Sequence, residues 1–219
     1  MRHLIVAVLA AAALLLPSCS RWSGGEEEMP SAYVRRTAVP NAVFFKDLGL
    51  EVEHFEVKAL KNYKVTIWIE TYLNGELRQD FSWGISQTPT EGKAIEEGFR
   101  FSRLHDLSKG MGEGKSNKVS WQFGFDNTSS GRGWKDNPFE GGTSTSTTSS
   151  TEAVELKSGQ TITVWTLIGS DTGELNSEGG DKAKVKQNPF VIFIRCRMEP
   201  LGPEDRWSVF KSFDGVPGQ

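Results

Sequence analysis

The feature that most constrains the fold is a twelve-residue stretch, 62–73, that alternates with period two and ends in a tight-turn signal. It is rich in β-branched and aromatic side chains, which favours an extended strand. The residues that share one face are Tyr63, Val65, Ile67 and Ile69. Asn74-Gly75 follows directly, and such a pair tolerates the positive φ angles of a two-residue hairpin turn. Because the chain then resumes as the extended stretch 76–85, the pattern predicts a β-hairpin.

Several other stretches carry strand signals. Residues 118–126 alternate most cleanly, with one apolar face formed by Val119, Trp121, Phe123 and Phe125. The remaining strand candidates are 50–58, 98–104, 153–156, 161–168 and 190–198. No stretch keeps a helical period over a useful length, and 90–99 is the one candidate for a short helix. Short strands joined by Gly, Asn and Ser turns predict an all-β protein, an antiparallel β-sandwich with an open β-barrel as the alternative.

Three connecting regions lie between the predicted strands, at 108–117, 127–151 and 170–187. The middle region contains the run Thr143 to Thr151, in which all nine residues carry a hydroxyl group. We interpret this run as a solvated connection or an edge strand, with O-glycosylation or a binding loop as the alternatives.

The N-terminus has the pattern of an export signal. The cationic start at Arg2 is followed by the apolar run Leu4 to Leu16, and then by Ser18 and Cys19. This segment resembles bacterial lipoprotein signal peptides, in which a leucine stands three residues before a cysteine and a small residue directly before it. The resemblance implies cleavage between Ser18 and Cys19 and a covalent lipid on Cys19. An ordinary cleaved signal peptide and an uncleaved anchor are the alternatives.

The length of the apolar run argues against a membrane-spanning helix. Its thirteen residues would form a helix of roughly 20 Å, whereas a bilayer core is about 30 Å thick. The expected organisation is a signal peptide at 1–18, a flexible tether at 19–32 and a single β-sandwich domain at 33–219. Ser20 follows the cysteine where Asp would signal inner-membrane retention, so the resemblance implies the outer membrane, facing the periplasm or the cell surface.

Charge and composition exclude one class of partner. The chain has 25 Lys and Arg against 28 Asp and Glu, a net charge of −3 at pH 7. A nucleic-acid-binding domain needs a clustered basic face, so we expect no nucleic-acid partner. The expected partners are the membrane, through the lipid anchor, and an envelope protein or glycan.

Motifs for catalysis and cofactors are weak. His54 and His105 have no short-range partner with the spacing of a zinc site or a nucleophile–base pair. The glycines of 110–116 do not match the spacing of a phosphate-binding loop. We therefore expect no catalytic residue, and no cofactor other than the lipid on Cys19.

One acidic, glycine-rich stretch is a weak calcium candidate, because calcium takes oxygen ligands from flexible loops. Its carboxylates are Asp171, Glu174, Glu178 and Asp181. The stretch lacks the ligand order of an EF-hand loop, so a solvated acidic turn is favoured and we expect no metal. Cys196 shares parity with Phe190, Ile192 and Ile194, which favours a buried packing role over a reactive thiol.

The aromatic residues give the one hint of a binding surface. Trp68 and Tyr72 fall on the face of their strand opposite Val65, Ile67 and Ile69, so either both faces are covered or one presents an aromatic platform. Trp134 falls in a predicted loop and is expected to be exposed. These three residues are the candidate binding residues.

The sequence leaves three functions open. The favoured one is a non-enzymatic, lipid-anchored β-sandwich that binds a protein or a glycan in the cell envelope. The second is a structural envelope component whose anchor is its function. The third is a hydrolase with two carboxylates drawn from distant strands, an arrangement that local spacing does not reveal.

Overall fold

The computed structural model describes residues 29–41, 50–105, 118–126, 128–136, 144–148, 151–170 and 172–218. The chain is mostly β and forms two antiparallel sheets that are not closed into a barrel. The predicted antiparallel β-sandwich is therefore confirmed. The signal peptide and residues 19–28 of the predicted tether lie outside the described residues.

Within the described residues the strands, in chain order, are β1 (Tyr33–Thr37), β2 (Leu50–Lys58), β3 (Tyr63–Leu73), β4 (Glu76–Leu77), β5 (Trp83–Gln87), β6 (Glu96–His105), β7 (Lys118–Phe125), β8 (Thr128–Asp136), β9 (Ser144–Thr148), β10 (Val154–Glu155), β11 (Thr161–Ser170), β12 (Phe190–Pro200) and β13 (Phe210–Asp214). A 3-10 helix, Gln79–Phe81, follows β4, and an α-helix, α1 (Asp181–Gln187), precedes β12.

The strands divide between two sheets. The six-stranded sheet has the order β10-β1-β2-β6-β7-β8. The seven-stranded sheet has the order β13-β5-β3-β12-β11-β9, and β4 extends the edge of β3. The chain changes sheets between β5 and β6, through residues 88–95, so this crossover lies at one end of the sandwich.

The hairpin after β3 forms as predicted. Asn74 and Gly75 have φ angles of 50° and 84°, the left-handed values that a type I′ turn requires. β4 pairs with β3 directly after this turn. The chain then makes the 3-10 helix before β5 returns to the same strand, with Ile67 opposite Ile85.

The core lies between the two sheets and is largely aromatic on the six-stranded side. Phe123 is central there, because its ring centroid lies 4.8 Å from that of Trp83, 5.4 Å from Phe99 and 5.5 Å from Phe101. The seven-stranded sheet supplies mainly aliphatic side chains, including Val65, Ile67, Ile69, Ile85, Ile192 and Ile194. The alternating faces predicted for 62–73 and 118–126 are thus the faces that pack together.

Charged residues replace apolar ones at one end of this core. Glu51 and Glu53 share the inward face of β2 with the buried Phe55. Arg103 Nε lies 3.0 Å from Glu51 Oε2, and Arg36 Nε lies 2.7 Å from Glu53 Oε2. Burial raises the pKa of Glu53 above its ordinary value, although the Arg36 guanidinium opposes that shift. This end of the sandwich therefore depends on ion pairs between neighbouring strands.

Three local predictions are wrong. Residues 90–99 form no helix, because the crossover is irregular and β6 begins at Glu96. The predicted loop 127–151 contains β8 and β9, which pair with β7 and β11 through backbone ladders that need no apolar alternation. The predicted connection 170–187 ends in α1. The run of hydroxyl residues includes β9, so its interpretation as an edge strand holds for 144–148.

We expect Phe123→Ala to lower the free energy of unfolding by about 3–5 kcal/mol, because it leaves a cavity in the aromatic cluster. The matched control is Gln122→Ala on the same strand, whose side chain is exposed and whose loss should change stability by less than about 0.5 kcal/mol. Denaturant titration of both variants measures the difference. Equal losses would contradict the placement of the core.

Candidate functional site

A cavity lies at the sheet crossover, and we call it the crossover cleft. Its volume is about 590 Å³. It is lined by Lys61, by residues 87–90 and 92–97, by Thr128, and by residues 208–210. The cleft therefore joins the end of β5, the start of β6, the start of β8 and the start of β13.

Hydrogen bonds hold the walls of this cleft in place. Thr88 Oγ1 donates to the Arg206 carbonyl at 2.6 Å and accepts from the Val209 N–H at 2.8 Å. Ser208 N–H donates to the Pro89 carbonyl at 2.9 Å, and its hydroxyl donates to Thr90 Oγ1 at 3.2 Å. The crossover is thus fixed to the segment before β13 and is formed before any ligand arrives.

Two buried polar atoms in the cleft have no hydrogen-bond partner among the described residues. They are Gln87 Oε1, a hydrogen-bond acceptor, and Thr128 Oγ1, which both donates and accepts. The amide nitrogen of Gln87 does have a partner, because it donates to Glu97 Oε1 at 2.8 Å. That bond orients the amide so that its oxygen remains available. Buried polar atoms are normally paired, so these two atoms of one cavity are free to pair with a polar ligand.

Charges of both signs surround these atoms. Lys61 and Lys93 contribute cations, and Glu96 and Glu97 contribute carboxylates. Glu96 is paired with Lys58 at 2.9 Å, outside the cleft lining. The cleft thus offers hydroxyl, amide, ammonium and carboxylate groups together.

A second, shallower cavity lies on the outer face of the six-stranded sheet, and we call it the sheet depression. It has a volume of about 260 Å³. Its lining residues are Arg100, Ser102, Gln122, Gly124, Phe125, Asp126 and Thr128. Gly124 lies opposite Arg100 in the sheet register, and the missing side chain at Gly124 lets the surface dip there.

A hydrogen-bonded group borders the sheet depression. Asp126 Oδ2 accepts from the Gly98 N–H at 2.9 Å, and Asp126 Oδ1 lies 3.8 Å from His54 Nε2. A Cβ atom at Gly98 would come within 2.5 Å of Asp126 and 2.7 Å of His54, so glycine is needed for this approach. Thr37 Oγ1 lies 2.5 Å from His54 Nδ1. The group positions Asp126 at the rim of the depression.

A third cavity, of about 530 Å³, lies beside the 3-10 helix and includes Trp83 and Trp121 among its lining residues. Both indoles belong to the core, being 3% and 8% exposed. Trp83 packs against Phe123, and Trp121 packs against Phe101 and Arg103.

Of the predicted binding residues, Trp68 and Tyr72 lie around a buried carboxylate on the outer face of the seven-stranded sheet. Trp68 is 2% exposed, so both faces of β3 are covered there and its ring is not available as a platform. Its Nε1–H donates to Glu70 Oε1 at 2.9 Å, and the Tyr72 hydroxyl donates to Glu70 Oε2 at 3.2 Å. Arg195 completes the group, with Nη2 2.9 Å from Glu70 Oε2. These residues act in structure rather than at a cavity.

The other predicted site residues are placed as follows. Trp134 lies within β8 instead of a loop, and its side chain is outside the described part of the chain. Ser18 and Cys19 are also outside it. The proposed lipidation of Cys19, the proposed cleavage after Ser18 and the proposed exposure of Trp134 stay predictions.

The weak calcium candidate is not assembled by the fold. Asp171 lies outside the described residues, and Glu174 and Glu178 are exposed. Asp181 instead bonds to Arg195, and Thr163 Oγ1 donates to its Oδ2 at 2.5 Å. Across the described ranges, no three His, Cys, Asp or Glu side chains are grouped to hold a metal ion.

Cys196 and His54 lie too far apart in the structure to share a metal or catalytic site. Cys196 is 1% exposed inside the core, where burial raises the pKa of its thiol to about 12. His54 lies on the outer face of the opposite sheet, in the register row of Thr37 and Arg100. The packing role predicted for Cys196 agrees with this burial.

Sequence reasoning missed the crossover cleft. Thr88-Pro89-Thr90 and Gly92 form a recognisable turn signal, but the signal marks a connection and not a site. Thr128 and Ser208 join it only through tertiary structure. No local spacing links these positions.

Comparison with protein-family models, with curated proteins and with solved structures found no match to this chain. In the part of the chain that the structure describes, no helix has the length and apolar character needed to cross a membrane.

We expect stability to fall in acid partly through Asp181. Burial would raise the pKa of this carboxyl, but hydrogen bonds from Thr163 and Arg195 outweigh burial and hold the pKa below its ordinary value. A lowered folded pKa contributes stability that is present above the unfolded pKa and lost as the pH falls through the folded pKa. Asp181→Asn should therefore cost roughly 1 kcal/mol at neutral pH and flatten the decline between about pH 5 and about pH 2.

The measurement is denaturant unfolding at several pH values. Glu178→Gln is the control, since Glu178 is exposed and has no ion pair within the described ranges. If Asp181→Asn keeps the slope of the unmodified protein, the bond to Arg195 does not contribute as described.

Proposed function

We propose that this protein is a lipid-anchored envelope protein, and that its β-sandwich is a non-enzymatic binding module whose ligand occupies the crossover cleft. The observation that carries the proposal is the pair of unpartnered buried atoms, Gln87 Oε1 and Thr128 Oγ1, in a preformed cavity. Leaving a buried polar group unpaired costs about 1–3 kcal/mol. A ligand that pairs with both atoms recovers this cost on binding.

A glycan is the ligand class that these groups favour. A sugar hydroxyl both donates and accepts, so it can donate to Gln87 Oε1 and accept from or donate to Thr128 Oγ1. An extended segment of a protein is the second candidate, because its backbone N–H and C=O groups offer the same pairing. An apolar ligand would bury the two atoms without pairing them.

The carboxylates of the cleft support binding rather than hydrolysis. Glu96 and Glu97 are consecutive residues of β6, and successive side chains of a strand point to opposite faces. Two carboxylates of a glycosidase must instead flank one scissile bond. Each also has a partner, Lys58 for Glu96 and the Gln87 amide for Glu97.

The anchor in this proposal is the lipid on Cys19. The fourteen residues 19–32 separate it from β1 and span at most roughly 50 Å when fully extended. Two or more lipid chains hold a protein stably on a membrane. The module would then stand off the outer membrane, in the periplasm or at the cell surface, within reach of envelope glycans.

We expect Cys19→Ala to move the protein from the membrane fraction to the soluble or precursor fraction, because it removes the acceptor of the lipid. Cys196→Ala is the matched control, since it removes the other cysteine. Fractionation and mass analysis of the N-terminus measure both. An unmodified N-terminus in the unsubstituted protein would contradict the anchor and leave the cleft proposal standing.

We expect Thr128→Val to weaken ligand binding about two- to tenfold, because the isosteric side chain cannot make the hydrogen bond. It should not lower stability, since it removes an unpaired buried hydroxyl. Thr161→Val, an exposed position on the other sheet, is the control. Glycan and peptide arrays probed with the full chain identify the ligand class, and titration gives the affinity. Equal affinity of the two variants would overturn the proposed site.

A further inference from the structure

The crossover cleft and the sheet depression meet at Thr128, which lines both. Strand β6 runs through both as well. Its first residues, Glu96 and Glu97, line the cleft, and Arg100 and Ser102 line the depression. The two cavities therefore adjoin at Thr128, at the end of the six-stranded sheet where β6 and β8 begin, and we call this combined surface the binding track.

The length of this track exceeds what a single sugar would fill. From Glu96 to Ser102 the strand advances six residues, which is roughly 20 Å at the rise of an antiparallel strand. The surface along this distance is polar, with Gln122 and Ser102 at the far end and Thr128 in the middle. Such a track fits a chain of several sugar units lying along it.

The charges along the track nearly balance. Its cations are Lys61, Lys93 and Arg100, and its anions are Glu96, Glu97 and Asp126. None of the three cations has an ion pair within the described part of the chain. The anions are held by Lys58, by the Gln87 amide and by the Gly98 N–H. Lys58 lies beside the track and pairs with Glu96, so the local charge of four cations against three anions is too nearly balanced to attract a polyanion strongly.

We infer that the ligand is an uncharged glycan chain that occupies the cleft and the depression together, an inference that rests on the proposed function of the cleft. One part of the chain pairs with Gln87 and Thr128, and the following units lie across Arg100, Ser102 and Gln122. Gly124 leaves the space in which these units lie.

Titration of the full chain in detergent with oligosaccharides of increasing length tests this. The neutral probes are cello-oligosaccharides, malto-oligosaccharides and fully N-acetylated chito-oligosaccharides from the disaccharide to the hexasaccharide, and the acidic probes are oligogalacturonides. We expect one neutral series to gain affinity with length until the track is filled. Its affinity should change by less than about twofold between about 0.05 and about 0.5 M salt, because the ligand carries no charge.

Two variants separate the depression from the cleft. Gln122→Ala should weaken the hexasaccharide about two- to tenfold, the loss of one hydrogen bond, and leave the disaccharide unchanged. Gln160→Ala, an exposed glutamine in the turn before β11, is the control. Thr128→Val should weaken both lengths.

The outcomes are distinct. If Thr128→Val weakens binding while Gln122→Ala and Gln160→Ala bind every length with equal affinity, the cleft alone binds the ligand. The inference of a track then fails, and the proposed function of the cleft stands. Binding of the acidic series alone, with affinity that falls as salt rises, overturns the uncharged ligand. Affinity that does not depend on length overturns the track.

Discussion

The pairing of β3 with β12 is the constraint on which the sandwich depends. The two strands pair over eleven residues, from Leu73 opposite Phe190 to Tyr63 opposite Pro200. They are buried on both faces along much of this length, since Trp68 and Glu70 of the outer face are 2% and 8% exposed. A carboxylate in that position must be paired, and Arg195 pairs with it from the neighbouring strand. The outer face of the seven-stranded sheet is therefore covered at its centre, whereas the crossover cleft and the sheet depression lie away from this covered region.

The sequence predicts strands where the physical signal is local. The alternation at 118–126 and the Asn74-Gly75 turn each depend on a few consecutive residues, and both appear in the structure. The prediction of a helix at 90–99 is wrong because contacts distant in sequence set the conformation of this region. Thr88, two residues before it, accepts a hydrogen bond from Val209, 121 positions away. The strands within 127–151 lack apolar alternation for a related reason, since they add backbone ladders at sheet edges where side-chain burial decides little.

The candidate site depends even more than the strands on contacts between residues that are distant in sequence. Trp68 and Tyr72 were predicted as binding residues because large aromatic side chains are common in binding sites. Their large apolar area equally favours burial, and Trp68 is buried. The cleft is built from Thr, Gln and Ser, residues that carry no distinctive spacing in the chain. It exists only because the crossover, the start of β8 and the segment before β13 meet in space. The lack of a clustered acid–base motif led to the hypothesis of a binding module, and local spacing does not reveal the cleft.

Two groups of buried polar atoms differ in whether they are paired. On the seven-stranded sheet, Glu70 receives hydrogen bonds from Trp68, Tyr72 and Arg195, so that carboxylate needs nothing more. In the cleft, Gln87 has its side-chain nitrogen paired and its oxygen unpaired, and the Thr128 hydroxyl has no partner among the described residues. Valine at position 128 has the shape of threonine, so it would remove the cost of the unpaired hydroxyl without changing the packing. A polar group kept where an apolar one would stabilise the fold more is best explained by a ligand that pairs with it. The functional proposal therefore rests on the cleft and not on Trp68 and Tyr72.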